Sequence, residues 1–177
     1  MHWSTFFVCR WFVKSSGWKD SDVGYTLNKK ELLKWIGFYL LIAIVILGFV
    51  EIAIANAGFN PEKLKKVGDF FPKTTSQRLI FIVTAFSAGF CEEYIYRGFG
   101  IRTLESRRVK TWLALIITSF FFTFIHGIIA FQRFPFYFIP GLLFGLLFLW
   151  KKNLTLPIIV HALIDLAALM MVLEALE

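Results

Sequence analysis

Apolar runs about as long as a bilayer is thick recur along this chain, and they constrain its fold more than any other feature. A hydrocarbon core of about 30 Å takes about 20 residues of helix, and five segments approach that length, at about 33–55, 79–101, 110–131, 134–150 and 154–175. The fourth is short for a span, so it tilts little or thins the bilayer locally. With 58% hydrophobic, 19% aromatic and only 18% charged among 177 residues, the composition lies outside the soluble globular range. The expected fold class is all-α, a polytopic membrane helical bundle of about five transmembrane helices plus an N-terminal interfacial segment.

Residues 1–32 form that interfacial segment. Trp3 to Val13 is apolar but broken by Arg10 and too short to cross, and its Trp and Phe residues suit the headgroup layer. It lacks the leading charge and trailing small residues of a secretory signal. Residues 33–74 supply the first transmembrane helix and a connector rich in Pro, Gly and Lys, with Gly58, Pro61, Gly68 and Pro72. Residues 75–177 form the core. Within it Gly141 and Gly145, four apart, make the small-xxx-small pattern of closely packed membrane helices, and Pro140 and Pro157 fit a kink or a first turn.

A net charge of +7 invites a nucleic-acid reading, but the basic residues lie in the connectors between spans rather than on one face. The membrane explains them better, and no nucleic-acid partner is expected. With alternating spans, twelve basic residues fall on the side of the N-terminus and six on the other, which favours a cytoplasmic N-terminus. Cys9 and Cys91 lie far apart and form no disulfide framework. Cys91 borders Glu92, but a helix step of about 100° turns it to another face, as packing.

Against this apolar background, charge inside a span needs a reason. An ionised side chain near the bilayer centre costs roughly 2.5–3.5 kcal/mol on insertion scales, so acids there mark function. Glu92 and Glu93 sit in the second span, His126 in the third, and His161 with Asp165 in the fifth. Glu51 lies near the end of the first span and reads as interfacial. On a helix, Glu93 and Arg97 stack at i and i+4 and brace one another, leaving Glu92 free to face a cavity with Tyr96 one turn along as a hydroxyl partner. His161 and Asp165 share the same spacing, so the acid can orient the imidazole, or both can donate to a reacting oxygen.

The expected catalytic residues are therefore Glu92, His126, His161 and Asp165, with Glu93 and Arg97 as structural support. Glu92 and His126 would hold and deprotonate a water, and His161 with Asp165 would stabilise the oxyanion formed on a peptide carbonyl. Asp165 donates only when protonated, so His161 carries more of that task. The same atoms also suit zinc, with Glu92, His126 and His161 as the ligands and a fourth position open. The His-Glu-x-x-His spacing of the common zinc proteases is absent, and the reading without a cofactor is preferred.

These residues resemble the CAAX-protease and bacteriocin-processing group of intramembrane proteases, also called the CPBP or Abi family. Glu92-Glu93-Tyr-Ile-Tyr-Arg97 fits its Glu-Glu-x-x-x-Arg motif, Phe122 to His126 its Phe-x-x-x-His, and His161 to Asp165 its His-x-x-x-Asn/Asp. Each pattern is weak alone; their order and placement in successive apolar segments over about residues 75–177 make the combination specific. The resemblance implies a helical membrane fold with a polar chamber, in a prokaryotic cell membrane, hydrolysing peptide substrates near their membrane attachment. It assigns water activation to Glu92 and His126 and oxyanion stabilisation to His161 and Asp165. Two departures stand out: many relatives are longer, and Asp165, an alternative within the motif, stands where the eukaryotic enzymes are better represented by Asn, which donates without needing a proton.

The leading expectation is an intramembrane endopeptidase whose partners are the bilayer and a membrane-associated peptide, in CAAX-type processing or in bacteriocin maturation or immunity. The alternative is a non-proteolytic membrane scaffold or bacteriocin-immunity partner of the same fold. A proton-coupled transporter would need a polar path across the membrane, whereas the ionisable groups here keep to one layer.

Overall fold

The computed structural model describes residues 2–26, 30, 33–34, 36–37 and 72–174. Most of the expected span at 33–55, with Glu51, and most of the following connector lie outside the described residues. The described chain is helical, with α1 at His2–Ser15, a 3₁₀ turn at Asp20–Val23, and α2 at Thr75–Glu93. A π-helical segment at Tyr94–Ile101 carries α2 directly into the short α3 at Arg102–Ser106. Then come α4 at Thr111–Phe124, the single turn α5 at Ile129–Gln132, α6 at Phe134–Lys151 and α7 at Thr155–Glu174. Among the described residues there is no strand, and the fold is an all-α membrane helical bundle.

The bundle is inverted relative to a soluble protein. Leu79, Ile80, Val83 and Phe86 on α2 are exposed, while Glu92, Glu93 and Arg97 on the same rod are 4%, 0% and 1% exposed. A large apolar surface around buried charge suits lipid outside and a polar chamber within. Two of the described helices, Thr75–Ser106 and Phe134–Lys151, are long and apolar enough to cross a membrane.

Local sequence explains the ends. Thr74 caps α2: its hydroxyl accepts from the Gln77 N–H at 3.3 Å and Gln77 Oε1 accepts from the Thr74 N–H at 3.1 Å. Pro135 sits in the first turn of α6, where its missing N–H leaves no hydrogen bond unmade. Lys152 ends α6 in the left-handed region at φ 52°, and Asn153 Oδ1 accepts from the Thr155 N–H at 2.6 Å to start α7.

The third apolar segment departs from expectation. A single helix over 110–131 would carry His126 in mid-span, but α4 stops at Phe124, only 14 residues and roughly 21 Å long. Gly127 at φ 76° turns the chain, with its N–H bonded to Phe124 O at 3.0 Å. His126 thus sits on a turn inside the bundle.

Three close approaches hold the core together. A Cβ on Gly89 would meet the backbone of α7, at 3.1 Å from both Ala162 N and Ile158 O, so α2 and α7 touch there because Gly89 has no side chain. Gly141 and Gly145 of α6 face α4: a Cβ on Gly141 would lie 3.3 Å from Ser119 Cβ, and one on Gly145 would strike the Leu115 side chain. The spacing of small residues read from the sequence therefore marks the α4–α6 seam. On the outer side, Phe6, Cys9 and Val13 of α1 are buried in the core cluster with Cys91 and Tyr94. The stretch of chain after α1 is tied to the α6–α7 turn by Leu154 N–H donating to Gly24 O at 2.8 Å.

Candidate active site

The approach at Gly89 sets the site. One turn beyond it, Glu92 and Glu93 meet His161, which stands one residue before Ala162 on α7. Glu93 Oε1 accepts two hydrogen bonds, from Arg97 Nη1 at 3.0 Å and from His161 Nδ1 at 2.8 Å. Arg97 Nη2 donates onward to Gly141 O at 2.9 Å, and its guanidinium lies 4.4 Å from the Phe122 ring centroid. Arg97 thereby joins α2, α4 and α6 from the π-helical segment, a backbone irregularity common at functional sites. The buried cation is matched by a carboxylate, a carbonyl and an aromatic face, which offsets the cost of taking it out of water.

His161 is fixed on every side. Its ring stacks on Phe144 at 4.7 Å and 11°, and Phe122 meets it edge-on at 5.7 Å. With Nδ1–H donated to the Glu93 carboxylate, Nε2 faces Glu92 Oε2 and Asp165 Oδ2, each 3.9 Å away. Those separations are too long for a direct hydrogen bond and short enough for one water to serve both partners. Glu92 Oε2 is buried without a hydrogen-bond partner among the described residues.

Two sequence expectations change here. Asp165 is not the acid that orients His161, because Glu93 holds the ring from α2 while Asp165 stays 3.9 Å from Nε2. The reason is register: the Gly89 contact brings Glu93 closer to Nδ1 than Asp165 comes from its own helix. Tyr96 does not bond the open Glu92 oxygen; its ring packs edge-on against Phe122 at 5.7 Å.

His126 occupies the other wall. Its Nδ1 lies 3.0 Å from Phe122 O. A carbonyl only accepts, so Nδ1 carries the proton and the neutral ring keeps a lone pair on Nε2. Tyr137 lies against the His126 ring at 4.4 Å. A cleft of ≈ 410 Å³ opens among the end of α4, α6 and α7, lined by His126, His161 and Asp165 among apolar residues that include Phe122, Pro140 and Phe144. Among the described residues no ion pair joins His126 to Glu92, so the structure brings Glu92, Glu93, Arg97, His161 and Asp165 into one network and leaves His126 outside it, lining the same cleft as His161 and Asp165. Among the same residues no group of three His, Cys, Asp or Glu side chains could hold a metal ion, so the set Glu92, His126 and His161 is not gathered as ligands.

Sequence reasoning missed Phe144 and Tyr137, which carry the two imidazoles. Both sit in an unbroken apolar run, and nothing in their spacing separates them from residues that face lipid. It also missed His2, whose Nδ1 lies 3.3 Å from Glu92 Oε1, since an isolated histidine in the first turn of the chain belongs to no pattern.

A stretch of 77 residues is 34% identical to "Membrane-embedded CAAX protease MroQ" of Staphylococcus aureus (strain USA300), covering 41% of this chain and 30% of that protein. The match thus spans less than a third of that relative's length. No solved structure matches the chain. The family model described as "Type II CAAX prenyl endopeptidase Rce1-like" matches residues 74–167, a stretch that contains Glu92, Arg97, His126, His161 and Asp165. More than half of the chain, with the whole buried network inside it, follows that model, and the chain belongs to the Rce1-like CAAX endopeptidase family.

Proposed function

We propose that this chain is an intramembrane endopeptidase that hydrolyses a peptide bond of a membrane-associated substrate with a water activated by Glu92 and His126. The observation that carries the reading is the buried Glu92 carboxyl, with Oε2 open and 3.9 Å from His161 Nε2, beside a cleft shared by His126, His161 and Asp165. Glu92 takes a proton from the water, and the water oxygen attacks the carbonyl carbon. The resulting oxyanion faces His161 and Asp165. His161, with Nδ1–H held by Glu93, donates from Nε2 when its ring carries two protons, and Asp165 donates when protonated. Collapse breaks the C–N bond as the proton taken up by Glu92, relayed through His126, passes to the leaving amine. A carboxylic acid and an amine result, with no covalent intermediate and no cofactor.

The apolar walls of the cleft favour a substrate segment that enters from the bilayer, near its point of membrane attachment. The relative named as a CAAX protease makes CAAX-type processing the first substrate class to try, with peptide or bacteriocin maturation in a prokaryotic membrane the second. The test is terminus-selective mass spectrometry of membranes carrying the wild type or Glu92→Ala at matched expression. New membrane-proximal termini present with the wild type alone support the protease and name its substrate. Identical termini, with any cellular phenotype surviving the substitution, replace it by the non-proteolytic scaffold.

A further inference from the structure

Glu92 is approached from two sides. Oε2 faces His161 of α7, and Oε1 lies 3.3 Å from Nδ1 of His2 at the start of α1. That nitrogen is buried and has no aligned hydrogen-bond partner among the described residues. It meets the carboxyl without the alignment of a full hydrogen bond, and a small rotation of either group supplies it.

The helix that carries His2 is docked, not hanging. Trp3 lies 5.9 Å from Phe90, and Phe6 packs on Phe90 at 5.2 Å and on Tyr94 at 4.8 Å. These contacts flank Glu92 on its own helix. At the other end, Asp20 accepts from both Arg10 and Lys14 at 3.1 Å, fastening α1 to the turn that follows it. Phe7, Val8, Trp11 and Phe12 on the outer face are exposed, which suits lipid contact. His2 is the polar group that this helix presents to a buried acid.

The oxygens of a carboxylate exchange places by rotation about the last side-chain bond, so a base that must present one of them needs the other held. We propose that His2 is a positioning residue for Glu92: its ring N–H holds Oε1, keeps Oε2 turned to His161, and makes α1 part of the active site. This rests on the reading of Glu92 as the base. Neither the three family motifs nor the matched stretch at residues 74–167 includes His2, so the device belongs to this chain's own N-terminal helix.

The contact is made through Nδ1, and that makes it testable. An Asn side-chain nitrogen sits near the Nδ1 position of His, whereas that of Gln sits near Nε2. In the full chain reconstituted in proteoliposomes, His2→Ala lowers kcat about tenfold with little change in KM, the size of one lost hydrogen bond to a charged group. His2→Asn restores most of the rate and His2→Gln does not. A readout free of peptidase activity is labelling of Glu92 by dicyclohexylcarbodiimide, an apolar reagent for buried carboxyls, followed by peptide mass spectrometry. Labelling is faster in His2→Ala than in the wild type and returns to the wild-type rate in His2→Asn. Equal kcat and equal labelling in His2→Ala overturn the proposal, as does an equal loss in all three variants with a lowered melting temperature, which marks a packing role. Should Glu92→Gln keep full peptidase activity, the base reading fails, and the labelling comparison still decides whether His2 holds the carboxyl.

Discussion

The two walls of the site are built by different means, and of the buried network on the first only His161 and Asp165 reach the cleft itself. On the α2–α7 wall, Glu93, Arg97 and His161 are buried and joined by hydrogen bonds of 2.8–3.0 Å. On the α4–α6 wall, His126 sits on a turn, half-buried, with its ring bonded to the carbonyl of Phe122 one turn back and Tyr137 against it. The first wall is a charge network that must be complete to be stable, and the second is a histidine carried by a helix break. Substitutions on the first should be felt in folding, and on the second in catalysis.

The largest stability effect is expected at Glu93→Gln, which leaves the Arg97 cation buried without its carboxylate. Losing one partner of a buried pair costs about 3–5 kcal/mol, read as a drop in the thermal midpoint in detergent micelles. Adding Arg97→Gln recovers part of it. His126→Gln should move that midpoint by an amount equivalent to less than about 1 kcal/mol while removing peptidase activity. Equal stability losses at the two positions would erase the distinction between the walls.

Gly89→Ala sharpens the comparison. The added carbon would meet α7 backbone at 3.1 Å, which cannot rotate away, whereas the carbon added in Gly145→Ala meets a Leu115 side chain, which can. Overpacking of this kind costs about 1–3 kcal/mol, so Gly89→Ala should lower both stability and turnover, the latter by displacing His161 from Glu92. Gly145→Ala should lower stability less and leave turnover near the wild type. A modest stability effect, about 1 kcal/mol, is expected at Gly127→Ala, where φ 76° disfavours a side chain. Its larger consequence is a shift of His126, read as a fall in kcat without loss of fold.

The sequence reveals these walls unequally, for physical reasons. Charge in an apolar helix is conspicuous, so Glu92, Glu93, Arg97, His161 and Asp165 stand out unaided, and the i, i+4 spacing alone places Glu93 near Arg97. Helix breaks inside apolar runs are not conspicuous. Gly127 is one glycine among several, so the stop at Phe124 and the turn that carries His126 are hidden, as is the eight-residue π-helical stretch at Tyr94–Ile101. Interhelical partners are hidden as well: nothing in the chain tells Glu93 to hold His161, since that contact follows from how closely Gly89 lets two helices approach.

The most direct test of the central claim is peptide hydrolysis by the purified chain in proteoliposomes, comparing the wild type with Glu92→Gln. The substitution keeps the size of the side chain and leaves the Glu93–Arg97–His161 network in place, so the expected result is an unchanged melting temperature with turnover lowered by at least about 10²–10⁴-fold, the range of a lost general base. Turnover within a few fold of the wild type in a folded Glu92→Gln protein would contradict it.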